Sequence, residues 1–255
     1  MKSIIIVTYN STLYIQECLE SIEKNISEKD QVFVIDNASD DDTEKKILEF
    51  IENKNNFKFI KQNFNYGFAK AVNIGLKMSI GEYIFLINPD VKFEMRTLDE
   101  IIESAQKNSA DIVGIKQIDK NGKPLGSFGK FPTKLVNFFE TIWLAKIFPV
   151  GRYVRHNFLT KKIFNSVQKV DWVGGGFILI KKKVVEEIGI FDEKFFMYFE
   201  DVDFCLRAKK ASFSVWFAGN IEVLHYGGRS FSKKNNLREQ HNKESLRYFM
   251  KKHNL

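Results

Sequence analysis

Cysteine is scarce in this chain: Cys18 and Cys205 are the only two, far apart and each inside a helix-like stretch. That excludes a disulfide framework and a cysteine-based metal site, and it favours a reducing compartment. Proline occurs four times, too rarely for an extended or collagen-like architecture. No apolar run approaches the roughly 20 residues that span a bilayer. No N-terminal leader is expected, because Met1-Lys2-Ser3 runs straight into the strand-like IIIVTYN. The expectation is a cytoplasmic protein, with peripheral association at the inner face of the plasma membrane left open. Acidic residues are outnumbered, 32 against 39 Lys and Arg, for a net charge of +7. An acidic partner follows: a nucleotide phosphate, an anionic lipid surface or nucleic acid.

What the chain has in quantity is aromatic and apolar residues, 25 of them Phe, enough for a large core in its 255 residues. The central stretch is Glu82 to Asp90, EYIFLINPD. Five apolar residues run into Asn88-Pro89-Asp90, which reads as a buried strand stopped by an Asx-Pro turn. Ahead of it, Ile4–Val7, Gln31–Ile35 and Phe57–Lys61 read as strands. Leu13–Asn25, Thr43–Ile51 and Ala69–Met78 read as helices, the first presenting Leu13, Cys18, Leu19 and Ile22 on one face. Strand and helix alternating with short turns is the pattern of βαβ units on a mainly parallel sheet. Right-handed crossovers place the polar turns Thr8–Asn10, Asp36–Asp40 and Asn88–Asp90 at one sheet edge. Open α/β sheets bind ligands outside the carboxyl ends of their strands. Two oxygen-bearing side chains flanking a proline there suit a hard cation held against a diphosphate.

The second half changes character. A helix is expected over Arg96–Asn108 and a strand over Asp111–Gln117. Asp119–Gly122 is a turn, and Gly126–Pro132 is loop-like. Thr133–Pro149 carries Leu135, Phe138, Phe139 and Ile142 at helical spacing, with basic residues following. It suits either packing on the sheet or contact with a membrane surface. Gly174-Gly175-Gly176 precede an apolar strand, Phe177–Ile180, without the spacing of a dinucleotide fingerprint. Glu200-Asp201-Val202-Asp203 fall at the start of a helix, where capping accounts for one acid but not three. Phe213–Phe217 is a last strand, Leu224–Ser230 a polar loop, and Arg238–His253 a basic helix.

VTYN at Val7–Asn10, VIDNASDD at Val34–Asp41, NPD at Asn88–Asp90, WVGGG at Trp172–Gly176 and FEDVDFCLRA at Phe199–Ala208 occur in an order that is specific where each motif alone is weak. In that order they resemble the family 2 inverting glycosyltransferases of the GT-A fold, in particular their bacterial rhamnosyltransferase-like branch, over about Lys2 to Arg229. The resemblance implies a GT-A domain over residues 1–230, with a nucleotide-sugar half (1–117), an acceptor half (118–230) and a basic helical tail (231–255).

It implies Thr8, Tyr9 and Asn10 around the base and Asp36 on its imide edge. Asn65 and Gly67 would lie in a turn closing over the nucleotide, with Ala69 and Asn73 opening the next helix. Asn88 and Asp90 replace the usual D-x-D, so Asp90 would hold Mg²⁺ or Mn²⁺ against the diphosphate, with His225 as a second ligand. Asp201 would be the base of a single displacement. Glu200 and Asp203 would orient the acceptor or cap the helix. Trp172, Gly174 and Gly175 would line the sugar and acceptor mouth, and Arg229 and Lys233 would cover the diphosphate.

The expected reaction is transfer of a sugar, L-rhamnose from dTDP-rhamnose first, onto a surface polysaccharide or lipid-linked oligosaccharide. A UDP-sugar donor (hexose, galactofuranose or N-acetylhexosamine) is the alternative within the same fold. A nucleotidyltransferase would want a glycine- and base-rich loop after the first strand, which VTYNSTLYIQ does not offer. A binding module without catalysis has no use for Asp201. Nucleic-acid binding accounts for the charge but for none of the acidic motifs.

Overall fold

The computed structural model describes residues 1–132, 161–227 and 235–255. The segment with Leu135–Phe148 and the positions of Arg229 and Lys233 lie outside the described residues. The amino-terminal half follows its hydrophobic pattern closely. β1 (Lys2–Thr8), β2 (Gln31–Asp36), β3 (Phe57–Lys61) and β4 (Tyr83–Ile87) pair in parallel in the order β3-β2-β1-β4. They alternate with α1 (Ile15–Glu23), α2 (Thr43–Ile51) and α3 (Phe68–Met78). Buried apolar side chains on both faces make β1, β2 and β4 near-continuous apolar runs, as a covered parallel sheet requires, while the edge strand β3 exposes Lys58 and Lys61.

Strand parity sorts the core into two layers. Ile4, Ile6, Val32, Val34, Phe85 and Ile87 pack with α1, α2 and α4 (Thr97–Lys107). Ile5, Phe33, Ile35, Ile84 and Leu86 face α3 and the later helices. The chain steps outward from β1 to β3 through α1 and α2, then back to β4 through α3. Right-handed crossovers put the returning helix on the opposite face. The order reverses between β1 and β4, which opens a crevice at their carboxyl ends. Leu13, expected on the buried face of α1, precedes the helix and is 73% exposed, because the chain is still turning at residues 12–14. Ile15 takes its place at the spacing shared by Cys18, Leu19 and Ile22.

Past β4 the sheet becomes mixed. A two-residue β5 (Val91–Lys92) precedes α4, and β6 (Ile112–Ile118) runs into the expected turn, where Asp119 and Lys123 exchange hydrogen bonds. The stretch expected as loop contains β7 (Phe128–Gly129), paired with β9 (Trp172–Val173). α5 (Lys161–Phe164) and β8 (Val167–Lys169) precede β9. β10 (Phe177–Lys181) is inserted antiparallel between β4 and β6. α6 (Lys182–Ile188) and α7 (Glu200–Lys210) follow. β11 (Val215–His225) runs parallel to β6 through an irregularity between Ala218 and Glu222. Leu224 and His225, expected in a loop, are therefore the end of a strand, because Gly219-Asn220 breaks the apolar pattern without ending the ladder. α8 (Asn235–His253) closes the chain, with Phe249 fully buried.

One turn is fixed by glycine. Gly67 has φ +88°, and a β-carbon there would lie 2.4 Å from the Phe196 carbonyl oxygen. Gly67→Ala is expected to cost at least about 2 kcal/mol, a fall of roughly 4–8 °C in thermal midpoint for a chain of this size. Scanning calorimetry reads it, and an unchanged midpoint would show that the turn relaxes freely.

Candidate active site

The carboxyl ends of β1, β2, β4, β6 and β11 and the entrance of the antiparallel β10 all open on one sheet edge. The convergence expected from the alternating pattern is therefore met, and three further strands join it. At the β1–β2 end, Thr8 Oγ1 donates to Asp36 Oδ1 at 2.8 Å, and Ser39 N–H and Oγ–H donate to the same carboxylate. Ser39 Oγ in turn accepts from Asn10 N–H at 2.9 Å, and Asn10 Oδ1 from Asp40 N–H at 3.0 Å. Asn10 and Ala38 hold φ of +52° and +64°, so both turns are bent tightly about Asp36. Asp36 is fully buried, and this network fixes its orientation. Ser39 carries much of that work and went unrecognised as a site residue, though its place three residues after an Asp is an Asx-turn signal. Tyr9 lies half-buried at the same edge.

Two of the residues expected around the nucleotide have other work. Asn73 is fully buried in α3. Its amide donates to the Phe191 carbonyl and Glu193 Oε1, and its Oδ1 accepts from Phe191 N–H. With donor and acceptor both used, it fastens α3 to the 191–193 segment and does not face a ligand. Asn65 Oδ1 accepts from Gly67 N–H at 3.0 Å and from Asn37 Nδ2 at 2.9 Å, so it shapes the Gly67 turn. Asn37, which the sequence did not single out, also bonds the Gly67 carbonyl and Tyr66 N–H, and it is the residue that ties β2 to this turn.

Asn88-Pro89-Asp90 forms the turn expected of it, with Val91 N–H donating to the Asn88 carbonyl at 3.3 Å. Asn88 N–H reaches the Gly176 carbonyl, and the Asp90 carbonyl accepts from Tyr226 N–H, so the turn is held between β10 and the end of β11. There His225 Nε2 stands 3.1 Å from Asp90 Oδ1, while its Nδ1 meets Gln117 Oε1 at 2.6 Å. If Nδ1 donates to Gln117, Nε2 turns a lone pair toward a carboxylate oxygen. Two acceptors at that separation need a proton or a cation between them. Among the described residues no group of three or more His, Cys, Asp or Glu could hold a metal. A pair of protein ligands nevertheless fits a hard divalent ion, which takes its remaining ligands from phosphate and water. Gln117 is the outer residue that fixes the histidine ring, a role set by the β6–β11 pairing and invisible in sequence.

The glycine ribbon joins this pair to the acidic helix. Gly174 N–H bonds the Ser127 carbonyl, and Gly175 N–H donates to Asp201 Oδ2 at 2.8 Å. A β-carbon at Gly176 would press on Gln117 Oε1 at 2.7 Å and His225 Cε1 at 3.0 Å. Consecutive residues of one strand entrance thus touch the Asp90–His225 pair and Asp201. Trp172, half-buried beside them, donates its indole N–H to the Lys130 carbonyl at 2.9 Å and stacks its ring over Gly129.

Asp201 is the second residue of α7, which begins after two residues, Tyr198 and Phe199, with φ of +69° and +67°. Left-handed backbone costs such residues about 1–2 kcal/mol each. Burial raises the Asp201 carboxyl above the ordinary range, against the opposing pull of the Gly175 and Val202 N–H bonds. Glu200 is buried, and its Oε2 finds no hydrogen-bond partner among the described residues. Burial, with the Asp201 charge adding to it, pushes Glu200 well above the usual carboxylate value. A group that binds its proton more tightly folded than unfolded costs stability once pH rises past its unfolded value. Glu200→Gln is therefore expected to raise the thermal midpoint at pH 8 by about 2–4 °C, roughly 1 kcal/mol. The gain should shrink toward zero as pH falls. A gain that does not change with pH would show that Glu200 is not the titrating group. Asp203 departs from expectation: fully buried, it accepts from Arg207, Lys252 and His253, so it anchors helices and does not face an acceptor.

A family model described as "Glycosyl transferase family 2" matches residues 3–189. Over 227 residues the chain is 26% identical to the low-salt glycan biosynthesis hexosyltransferase Agl10 of Haloferax volcanii, covering 88% of this chain and 66% of that protein. It thus spans just under two thirds of that relative's length. Over 239 residues it is 23% identical to the N-acetylglucosaminyl-diphospho-decaprenol L-rhamnosyltransferase of Mycobacterium tuberculosis, covering 89% of this chain and 76% of that one. Its fold matches the mannosyltransferase PcManGT of Pyrobaculum calidifontis, solved with GDP-Man and Mn²⁺. The TM-score is 0.61 at 17% identity, over 89% of this chain and 57% of that one.

Proposed function

The chain belongs to glycosyl transferase family 2, and from that premise we propose that it is an inverting, cation-assisted transferase of the GT-A fold. It moves a sugar from a nucleoside-diphosphate donor to a hydroxyl of a cell-surface polysaccharide or lipid-linked oligosaccharide. The observation that carries this reading is the meeting of Asp201 and the Asp90–His225 pair on the consecutive residues Gly175 and Gly176. A single displacement needs a base on the acceptor side and a charge sink at the leaving group, close together but distinct.

In this reading the acceptor hydroxyl oxygen attacks the anomeric carbon as Asp201 takes its proton. The bond to the nucleoside diphosphate breaks on the opposite face, and the configuration inverts. A carboxyl whose proton affinity is raised by burial is the better base for a hydroxyl. Asp90 and His225 would hold the Mg²⁺ or Mn²⁺, and a bound divalent cation supplies charge neutralisation for the departing diphosphate. Thr8, Tyr9, Asn10, Asp36 and Asn88 form the floor and walls for the nucleotide, with Asp36 held by Thr8 and Ser39. Trp172, Gly174, Gly175 and Glu200 border the acceptor side.

L-rhamnose from dTDP-rhamnose is the sugar we favour, supported by the rhamnosyltransferase relative. A UDP-hexose donor is the second reading, supported by the hexosyltransferase relative. The net charge of +7 suits a lipid-linked acceptor at an anionic surface. Among the described residues no helix is long and apolar enough to cross a membrane.

Calorimetric titration with dTDP, UDP and GDP, with and without Mn²⁺, tests the donor half. Micromolar, Mn²⁺-dependent binding of dTDP or UDP is expected. No binding of any diphosphate at millimolar Mn²⁺ would overturn the assignment and bring forward a binding module without catalysis.

A further inference from the structure

The ammonium of Lys252, near the end of α8, lies 2.7 Å from Asp192 Oδ2 and 2.7 Å from Asp203 Oδ1. These carboxylates bracket the segment that holds Asp201, so one side chain of the last helix joins both ends of it. α8 grips the interval between as well. Ser245 Oγ donates to the Met197 carbonyl at 2.8 Å, and Tyr248 OH donates to Asp192 Oδ2 at 2.8 Å. His253 Nε2 meets Asp203 Oδ1 at 2.8 Å. Phe195 packs edge-on against Tyr248 and Phe199 against the buried Phe249, while the Arg238 guanidinium lies 5.8 Å from the Tyr198 ring centre.

Within this bracket lie Tyr198 and Phe199, both left-handed. Two consecutive aromatic residues keep that conformation only where their surroundings over-determine it. On the upstream side the segment is held by Asn73 at Phe191 and by Phe68 N–H at the Phe196 carbonyl. Beyond Phe196 the described polar grip on its backbone and flanking carboxylates comes largely from α8. Asp201 itself takes a bond from Gly175.

We propose that α8 is a clamp on the acceptor-side loop and that Lys252 is a positioning residue, setting where Asp201 stands by joining Asp192 to Asp203. With the clamp released, Tyr198 and Phe199 relax toward right-handed backbone and carry the start of α7 with them. The donor edge formed by β1, β2 and β4 stays built. This inference rests on the reading of Asp201 as the base, but its structural half does not.

The test compares the full chain with Lys252→Met and Lys252→Arg. Hydrogen exchange of amides 197–202 is the readout independent of activity, and it should quicken at least about tenfold in Lys252→Met. Calorimetry with dTDP and Mn²⁺ should give affinities within about threefold of each other, which also shows that the variant is folded. Release of dTDP from dTDP-rhamnose, with an N-acetylglucosaminyl-diphospholipid as acceptor, should fall about 10- to 100-fold in kcat. Lys252→Arg should recover most of it. Unchanged exchange at 197–202 in Lys252→Met overturns the clamp, whatever happens to activity. Faster exchange with an undiminished kcat overturns the positioning role, and so does a parallel loss of dTDP affinity. If the unaltered chain releases no dTDP, the dTDP-rhamnose reading with this acceptor fails, and the exchange result alone decides the clamp.

Discussion

Asp201→Asn is expected to lower kcat by about 10²–10⁴-fold, the range that general-base catalysis supplies. Nucleoside-diphosphate affinity should stay within about threefold. The substitution is nearly isosteric, and the amide oxygen still accepts from Gly175 N–H, so the ribbon and the start of α7 keep their places. What disappears is the ability to take a proton. The pH profile of the unaltered chain supplies the companion measurement. In the proposed reaction Asp201 works ionised, so the rate should be full above its pKa and lost as pH falls through it. Burial raises that pKa, so the acid limb of kcat/KM should lie above that of a water-exposed aspartate. Glu200, the adjoining carboxyl that burial and then the Asp201 charge push well above the usual value, titrates beside it and broadens the limb. A variant with near-normal kcat would remove Asp201 from the reaction.

The half of the molecule that binds the nucleotide in this reading was legible because it obeys local rules. Residues 2–87 are apolar runs of strand length alternating with amphipathic stretches, and their turns carry the Asp, Ser and Asn that cap and bend. The carboxyl-terminal half obeys non-local ones. β10 reads like any buried strand, and nothing within Phe177–Lys181 says that it runs antiparallel between β4 and β6. β11 was cut short at Phe217 because Gly219 and Asn220 look like a turn, and His225 was placed in a loop although it ends a strand. The motif order singles out Asp90, His225 and Asp201, which the fold brings to one sheet edge, each near a strand end or a helix start. It did not anticipate the partners of Asn73 and Asp203: Asn73 bonds residues 118 and 120 positions away, and Asp203 bonds His253 50 positions away as well as Arg207 on its own helix. A buried Asn or Asp within a helix looks the same in sequence whether it faces a ligand or another part of the fold. Gln117 and Lys252 carried no signal of their own for the same reason, whereas Ser39 carried only its Asx-turn spacing from Asp36.

The second large effect is expected at the cation pair. Asp90→Ala should weaken Mn²⁺-dependent diphosphate binding at least about 100-fold, roughly 2.7 kcal/mol. In the proposed site a diphosphate at this sheet edge would lie near the acidic groups Asp36, Asp90 and Asp201, and Asp90 with His225 would hold a neutralising ion against it. Removing the carboxylate leaves one imidazole, and Asn88 is a neutral and weaker oxygen donor. His225→Ala should be milder, about 10- to 100-fold, because the charged ligand survives it. Gly176→Ala supplies a check with both ligands intact. Its β-carbon meets Gln117 Oε1 and His225 Cε1, so it should displace the ring and weaken Mn²⁺-dependent binding in the way His225→Ala does. The three variants separate a cation site from a structural ion pair. If Asp90 and His225 only hold β11 to the Asn88–Asp90 turn, all three should lower the thermal midpoint and leave the Mn²⁺ dependence of dTDP and UDP binding unchanged. If they hold the ion, the dependence itself should disappear in Asp90→Ala, with any residual affinity the same in EDTA as in Mn²⁺.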